Sequence, residues 1–207
     1  MLKKIVDLSI PVIIDGDGLW HLVNQPSTLA GYRRAVITPN TVELSYLYNT
    51  FCGPHLQAQQ AQPEQSKMCE ELSVALGRIL VVSKGPVDRI TSGGAALECN
   101  TRGSARRCDG QGHILAGVTA VFIHWAISSS APPPPPPTTT STTAPCSLTV
   151  EAVMTNSPSR VCRAGRTEEQ SESLVTAAWA ACHLVRSSAS QATILHGRAT
   201  SAQVRTC

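Results

Sequence analysis

The chain has 207 residues, of which 42% are hydrophobic and only 4% are aromatic. This length is sufficient for one domain with a sizeable core, and the composition requires that core to be aliphatic. The formal net charge of +3 is too small to indicate a nucleic-acid-binding protein. No Lys/Arg-rich run is interleaved with aromatic residues either, so we expect no nucleic-acid partner.

The first residues do not have the pattern of a signal peptide, because Asp7 and Asp15 interrupt the apolar run that follows two lysines. The longest apolar segment, 114–127, has the length of a buried core helix rather than a membrane span. We therefore expect a soluble, cytoplasmic chain without a membrane partner, and a mitochondrial form only with a different N-terminus. The eight cysteines form no C-x-x-C pair, which favours reduced thiols over a zinc site.

Three short β-branched runs, 10–14, 35–38 and 79–83, predict strands that are buried on both faces, as in a parallel sheet. Strand, loop and helix alternate along this part of the chain, which is typical of an α/β fold. The segment 90–99 has Gly93-Gly94 at its centre and predicts a β-hairpin. A helical pattern at 70–76 ends at a glycine, and the polar, Gln-rich segment before it predicts an exposed loop.

Polar side chains follow each predicted strand. Asp15 and Asp17 are candidates for holding Mg²⁺ or a substrate hydroxyl, and an Asp-Gly turn explains them equally well. Lys84 and Asp88 follow the third strand, where they suit phosphate and metal or substrate, or simply a solvated turn. Asn40, with Glu43 three residues later, forms a capping-box pattern that by itself accounts for both residues.

The stretch Gly103–Gly117 places three glycines within ten residues, directly before the apolar segment. Glycine allows backbone N–H groups to converge, and the first turn of a following helix adds unpaired N–H groups and a positive dipole end. The stretch is therefore a candidate phosphate-binding site, although a plain loop-to-helix turn has the same spacing.

The composition changes after Ile127. Six consecutive prolines and a Thr/Ser run predict an extended, disordered insert over 128–172. A domain that binds proline-rich motifs is one candidate partner for this insert. An apolar helical pattern resumes over 174–186. We therefore predict a domain over 1–127, the insert, and a C-terminal helical part of the same domain over 173–207.

Five motifs occur in a characteristic order: IPVIIDGDGLW, TPNTVELSYLY, VVSKGPVD, GSARRCDGQGHILAG with FIHWA, and AAWAACHLVR with HGRATS. Together they resemble the ATP-dependent NAD(P)H-hydrate dehydratases of the ribokinase-like superfamily, in their eukaryotic branch. The resemblance covers about 10–127 and 174–201. It implies a mainly parallel sheet flanked by helices. Family members carry earlier strands and a Gly-rich segment, so we expect a fold that is incomplete at the N-terminus, with an exposed sheet edge and low solubility.

The resemblance also implies a reaction. ATP phosphorylates the ring hydroxyl of NADH or NADPH hydrate (S-form), and loss of phosphate restores the cofactor, with Mg²⁺ bridging the phosphates. The residues implied for the hydrate are Asn40, Thr41, Val42, Glu43, Leu44, Ser45, Tyr46 and His113. Those implied for ATP are Lys84, Gly85, Pro86, Val87, Asp88, Gly103, Ser104, Ala105, Arg106, Arg107, Cys108, Asp109, Gly110, Gln111 and Gly112.

One position departs from the family pattern, because His113 stands where the motif G-Q-G-D has its catalytic aspartate. A neutral imidazole accepts a proton near pH 7; a nearby triphosphate favours the protonated ring, and a helix N-terminus opposes it. We expect reduced turnover with ATP binding partly retained. Two alternatives stay open: an impaired relative that binds nucleotide or serves as an interaction module, and a small-molecule kinase of the same superfamily. A homo-oligomer is also left open.

Overall fold

The computed structural model describes residues 1–29, 31–53, 64–104, 110–129 and 168–196. The helices in these ranges are α1 (Leu2–Asp7), α2 (Asp17–Asn24), α3 (Thr41–Phe51), α4 (Gln65–Ala75), α5 (Gln111–Ser129) and α6 (Glu168–His196), with a 3₁₀ turn at Pro26–Thr28. The strands are β1 (Val12–Ile14), β2 (Ala35–Ile37), β3 (Leu80–Ser83), β4 (Asp88–Ser92) and β5 (Ala95–Cys99).

The five strands form one sheet in the order β1-β2-β3-β4-β5. β1, β2 and β3 run parallel, and the register pairs Ile13 with Val36 and Val36 with Leu80. β4 and β5 add antiparallel strands, joined by a tight turn at Gly93-Gly94. The predicted hairpin is confirmed, and its first strand begins two residues earlier than predicted, at Asp88. The three β-branched runs contain the parallel strands, of which β2 and β3 are fully buried as predicted, whereas Val12 and Ile13 of β1 are half-buried.

Alternating side chains on the parallel strands reach two separate cores. Ala35 and Ile37 of β2 pack with α2, α3 and α4, whereas Val36 between them belongs to the core under α5 and α6. Because successive strand residues point to opposite faces, one β-branched run contributes to both cores. Helices therefore cover both faces of the sheet, and the predicted α/β fold is confirmed.

The apolar helix α5 is less buried than its composition predicts. Leu115, Thr119 and Ile123, spaced four apart, form its buried stripe, while Val121 and Trp125 are 46% and 58% exposed. The expectation of a buried core helix is therefore wrong for most of its surface, because α6 and β1 cover it from one side only. Among the described residues, α5 is long and apolar enough to cross a membrane. Core helices of soluble proteins meet the same two criteria, so this indication is weak.

Several predicted boundaries shift. α4 begins at Gln65, inside the segment predicted as an exposed loop, and Gln65 donates a hydrogen bond to Ser83 at 2.7 Å. α5 continues to Ser129 and α6 begins at Glu168, so both helices extend into the predicted insert. The proline run itself, at 132–137, lies outside the described residues.

Within the described residues all cysteines are free thiols, as expected: Cys52, Cys69, Cys99 and Cys182.

The core under α4 leads to a stability prediction. Leu72 is fully buried, so Leu72→Ala should lower the free energy of unfolding by about 2 to 5 kcal/mol through lost transfer energy and a cavity. Val74, two residues along the same helix, is 53% exposed, and Val74→Ala should stay within about 0.5 kcal/mol of the parent. Urea unfolding monitored by circular dichroism measures both values; similar losses for the two variants would contradict this account of the core.

Candidate functional site

The site lies where the parallel strands end. Asp15 follows β1, Thr38 follows β2 and Lys84 follows β3. Because the carboxyl ends of parallel strands meet at one edge of a sheet, three residues distant in sequence become neighbours. The sequence identified Asp15 and Lys84 as candidates at this edge but not Thr38, whose only signal was its place as the last residue of the second β-branched run.

These three side chains form a hydrogen-bonded cluster. Lys84 Nζ lies 2.5 Å from Asp15 Oδ1, and Thr38 donates its hydroxyl to the same oxygen at 2.7 Å. The Lys84 and Asp15 side chains are only 20% and 12% exposed. A charge-assisted bond that is this shielded from water is stronger than a surface ion pair, so the cluster holds the Lys84 ammonium at the strand ends.

Two opposing effects act on the pKa of the Asp15 carboxyl group. Burial on its own would raise its pKa, since a charged carboxylate loses hydration. The hydrogen bonds from Lys84 and Thr38 and the positive charge of Lys84 together outweigh burial and hold the pKa of Asp15 below its usual value. Asp15 is therefore ionised at neutral pH.

Helix α5 begins against this cluster. Gly110 precedes it with a φ of 81°, a conformation that favours glycine, and the helix starts at Gln111. A Cβ at Gly112 would lie 3.4 Å from Lys84 Nζ and 3.7 Å from Asp15 Oδ2, so the backbone of the first turn approaches both charges closely. The N-terminal N–H groups and the positive end of the helix dipole thus join the Lys84 ammonium at one place.

His113 lies on the open side of this arrangement. Its Nδ1 is 3.5 Å from Asp15 Oδ2, and its side chain is 82% exposed. One carboxylate oxygen of Asp15 thus accepts hydrogen bonds from Lys84 and Thr38, and the other oxygen faces the imidazole of His113. The predicted catalytic residue therefore lies beside the predicted strand-end aspartate.

The predicted capping box at the start of α3 is confirmed. Asn40 Oδ1 accepts hydrogen bonds from the backbone N–H groups of Val42 and Glu43, both at 2.9 Å, and Glu43 Oε2 accepts from the Asn40 N–H at 2.8 Å. A β-bridge between Asn40 and Lys84 places the start of this helix beside the strand-end cluster. Leu44 is buried in the core, so the residues predicted to bind the hydrate do not all present side chains to one surface.

A residue that sequence reasoning missed, Arg186 on α6, organises the loop after β3. Its Nε and Nη2 donate to Asp88 Oδ2 and Oδ1 at 2.6 and 2.7 Å, a bidentate pair. Nη1 donates to the carbonyls of Pro86 and Thr101 at 3.0 and 3.1 Å, and Nη2 donates to the Gly85 carbonyl at 2.7 Å. All five guanidinium N–H groups are thereby used within the protein.

The Asp88–Arg186 pair has a structural role. The Asp88 side chain is 7% exposed and also accepts the Gly85 N–H at 3.0 Å. Hydrogen bonding to Asp88 raises the pKa of Arg186 above its usual value, and this effect outweighs burial, which lowers the pKa. Asp88, predicted to contact ATP, therefore stabilises the conformation of the loop 85–88, and Gly85, Pro86 and Asp88 of that loop line the cleft described next.

A cleft of about 770 Å³ adjoins these elements, within the size range of small-molecule sites. Of the predicted binding residues, the structure places the following in its lining: Asn40, Lys84, Gly85, Pro86, Asp88, Gly103, Ser104, Gln111 and Gly112. It adds residues that were not predicted: Asn100, Thr101, Arg102, Leu115, Val185, Arg186 and Ala189. The predicted residues 105–109 lie outside the described residues.

The part of the chain that the structure describes contains no group of three or more His, Cys, Asp or Glu side chains suited to a metal ion. Asp15 engages Lys84, Thr38 and His113 with its two oxygens. Asp17 lies exposed in the first turn of α2.

Comparisons with known proteins agree with the motifs. A sequence profile of the NAD(P)H-hydrate dehydratase family matches residues 1–147. The chain is 35% identical over 191 residues to the ATP-dependent (S)-NAD(P)H-hydrate dehydratase of Mus musculus, covering 92% of this chain and 45% of that protein. It is 42% identical over 131 residues to the Danio rerio protein of the same name, covering 61% of this chain and 38% of that one. The chain thus spans less than half the length of these curated relatives.

Among solved structures, a hypothetical protein from Streptococcus mutans superposes with a TM-score of 0.54 at 16% identity, covering 94% of this chain and 51% of that one. At this level of identity the likeness shows the fold alone.

The guanidinium network predicts a steep cost for a conservative change. Arg186→Lys should lower the free energy of unfolding by about 3 kcal/mol, because one ammonium cannot satisfy the buried carboxylate and three carbonyls together. Arg102→Lys, at an exposed arginine of the same cleft, serves as the control and should change stability by less than about 0.5 kcal/mol. Chemical denaturation measures both; equal stability of Arg186→Lys and the parent would refute the structural role.

The cluster at the strand ends predicts a pH effect. The lowered pKa of Asp15 contributes stability that is present above its unfolded pKa, about 3.9, and is lost as pH falls through the folded value. Lys84→Met removes the hydrogen bond and the positive charge but leaves the burial, so the pKa of Asp15 should rise and acid unfolding should begin at a higher pH. Carboxyl ¹³C NMR titration measures the pKa directly.

The matched control is Lys67→Met, because the Lys67 side chain is 66% exposed and pairs with Glu71 on the same helix. It should leave the Asp15 titration unchanged. An Asp15 pKa that is the same in Lys84→Met and the parent would show that Lys84 does not set it.

Proposed function

This chain belongs to the NAD(P)H-hydrate dehydratase family, and we propose that it carries out the ATP-dependent dehydration of hydrated NADH or NADPH (S-form). The products are the restored reduced cofactor, ADP and phosphate. The observation that most directly supports this function is that the Lys84 ammonium and the first turn of α5 meet at one cleft, where Gly112 lies beside Lys84.

This convergence suits the phosphates of ATP. Phosphoryl transfer depends mainly on positioning and on neutralising the developing charge. Lys84 supplies a positive charge held by Asp15, and the start of α5 supplies N–H groups and a dipole. The loop 85–88, kept in place by Arg186, contributes Gly85, Pro86 and Asp88 to the lining of the same cleft.

Mg²⁺ accompanies ATP in this proposal and is held mainly by the phosphates. Magnesium in such sites keeps several waters and takes few protein ligands, so such a site would not need a cluster of three protein ligands. The ion reduces the charge of the triphosphate. Among the described residues, the exposed Asp17, two positions after Asp15, is a carboxylate that would be available to it.

The hydrate is assigned to the side of the cleft at Asn40, the N-cap of α3, close to His113, which follows the cleft-lining Gly112 in the first turn of α5. Asn40 lines the cleft and is bridged to Lys84, so a substrate there lies next to the phosphate site. Phosphorylation turns the hydroxyl into a good leaving group, and loss of phosphate restores the double bond of the ring. We assign the activity to the cytoplasm.

The test is an assay of the purified chain with hydrated NADPH, ATP and Mg²⁺, in which recovery of the reduced-nicotinamide absorbance is followed. ATP-dependent recovery is expected, with stoichiometric ADP. Lys84→Met should reduce kcat/KM by at least about 10²-fold because phosphate neutralisation is lost. His124→Asn, at an exposed histidine farther along α5, is the control and should retain parental activity. ATP binding without recovery of the cofactor would instead indicate a nucleotide-binding relative.

The same assay examines the departure at position 113. His113→Asp introduces the aspartate of the family motif and should raise kcat above that of the parent, because an ionised carboxylate accepts a proton without requiring a particular tautomer. Turnover of His113→Asp no higher than the parent's would refute this role of position 113.

A further inference from the structure

We infer that Asp15 is a positioning residue for His113: its carboxylate holds Nδ1 of the imidazole, so that Nε2 accepts the proton of the substrate hydroxyl. This inference rests on the proposed function. It goes beyond the family pattern, in which position 113 is an aspartate, because it assigns to this chain a carboxylate–imidazole pair in place of a single carboxylate.

The carboxylate is the fixed partner of the pair. Lys84 and Thr38 hold Oδ1 from two different strand ends, at 2.5 and 2.7 Å. The orientation of the group is thereby set, and it turns Oδ2 toward Nδ1 of His113 at 3.5 Å. Asp15 is 12% exposed whereas His113 is 82% exposed, so an otherwise mobile ring meets a rigid anion.

The backbone makes this approach feasible. Gly112 immediately precedes His113, and even a Cβ at this position would come within 3.7 Å of Asp15 Oδ2 and 3.4 Å of Lys84 Nζ. These are van der Waals contact distances, so the backbone of the first turn lies directly against the two charged groups. This close approach brings the helix N–H groups toward the phosphate site and the imidazole next to the carboxylate.

The pair suits the proton transfer that the reaction requires. The ring-hydroxyl oxygen forms a bond to the γ-phosphorus of ATP, the bond from that phosphorus to the β–γ bridging oxygen breaks, and its electron pair leaves with ADP. The hydroxyl proton moves to Nε2 of His113. The resulting imidazolium carries Nδ1–H next to the anionic Oδ2 of Asp15, which stabilises the positive charge as it forms.

The first arm of the test is independent of activity. In ¹⁵N NMR of the imidazole, with the signal of His113 identified by its loss in His113→Asn, the neutral ring should carry its proton on Nδ1 in the parent. Asp15→Asn should shift the tautomer toward Nε2–H. Asp7→Asn, at an exposed aspartate in α1, should leave the His113 signals unchanged. Unmoved His113 signals in Asp15→Asn would overturn the inference.

A converse measurement covers the case in which Asp15→Asn does not fold. His113 is exposed, so His113→Asn should fold as the parent does. Its effect is read from the ¹³C shift of the Asp15 carboxyl group, which should move if the two groups interact. A carboxyl signal identical to the parent's would also overturn the inference.

The second arm is a kinetic double-mutant cycle. The factor by which Asp15→Asn lowers kcat should be about 10 times larger in the parent background than in the His113→Asn background, because the part of its effect that acts through His113 is already lost there, whereas the part that acts through Lys84 remains in both. Equal factors in the two backgrounds would show that Asp15 acts without His113. If the parent has no ATP-dependent dehydratase turnover, the proposed function fails, and the NMR arm alone decides whether Asp15 positions His113.

Discussion

The buried pair of Asp88 and Arg186 is the interaction on which the geometry of the cleft depends. It joins α6 to the start of β4, and the same guanidinium holds three backbone carbonyls of the surrounding loops. Removing one member of such a pair leaves an uncompensated charge under the cleft. The loop after β3 is therefore held in place because a residue about a hundred positions later in the chain donates to its carboxylate and to its backbone carbonyls.

A second ion pair, between Lys84 and Asp15, forms the centre of the candidate site. The two residues come from strands that are not adjacent, since β2 lies between β1 and β3, and Thr38 at the end of β2 completes the contact. The cluster keeps a positive charge where the amides of α5 also point. These features support phosphate binding at this edge of the sheet, and the proposed ATP-dependent chemistry uses both.

If position 113 supplies the base, as we propose, a histidine there makes demands on its neighbours that an aspartate would not make. A single carboxylate works as a base without support, whereas an imidazole requires the correct tautomer and a stable imidazolium. Asp15 is already oriented by Lys84 and Thr38, so it meets both demands with its second oxygen. In this view the strand-end carboxylate, rather than the Gly-rich turn, is the feature that connects phosphate binding to proton transfer.

The sequence by itself determined the local elements. β-branched runs predicted the strands, Asn40 and Glu43 predicted the capping box, and Gly93-Gly94 predicted the hairpin, because each of these depends on residues within a few positions. The ordered motifs also indicated the family. Only the tertiary structure decided that Arg186 uses all its donors on the loop after β3, that Thr38 joins Asp15 and Lys84, and that α5 buries a single stripe. These contacts link residues 20 to 100 positions apart, so no local pattern encodes them; they follow from how the sheet and the two long helices pack.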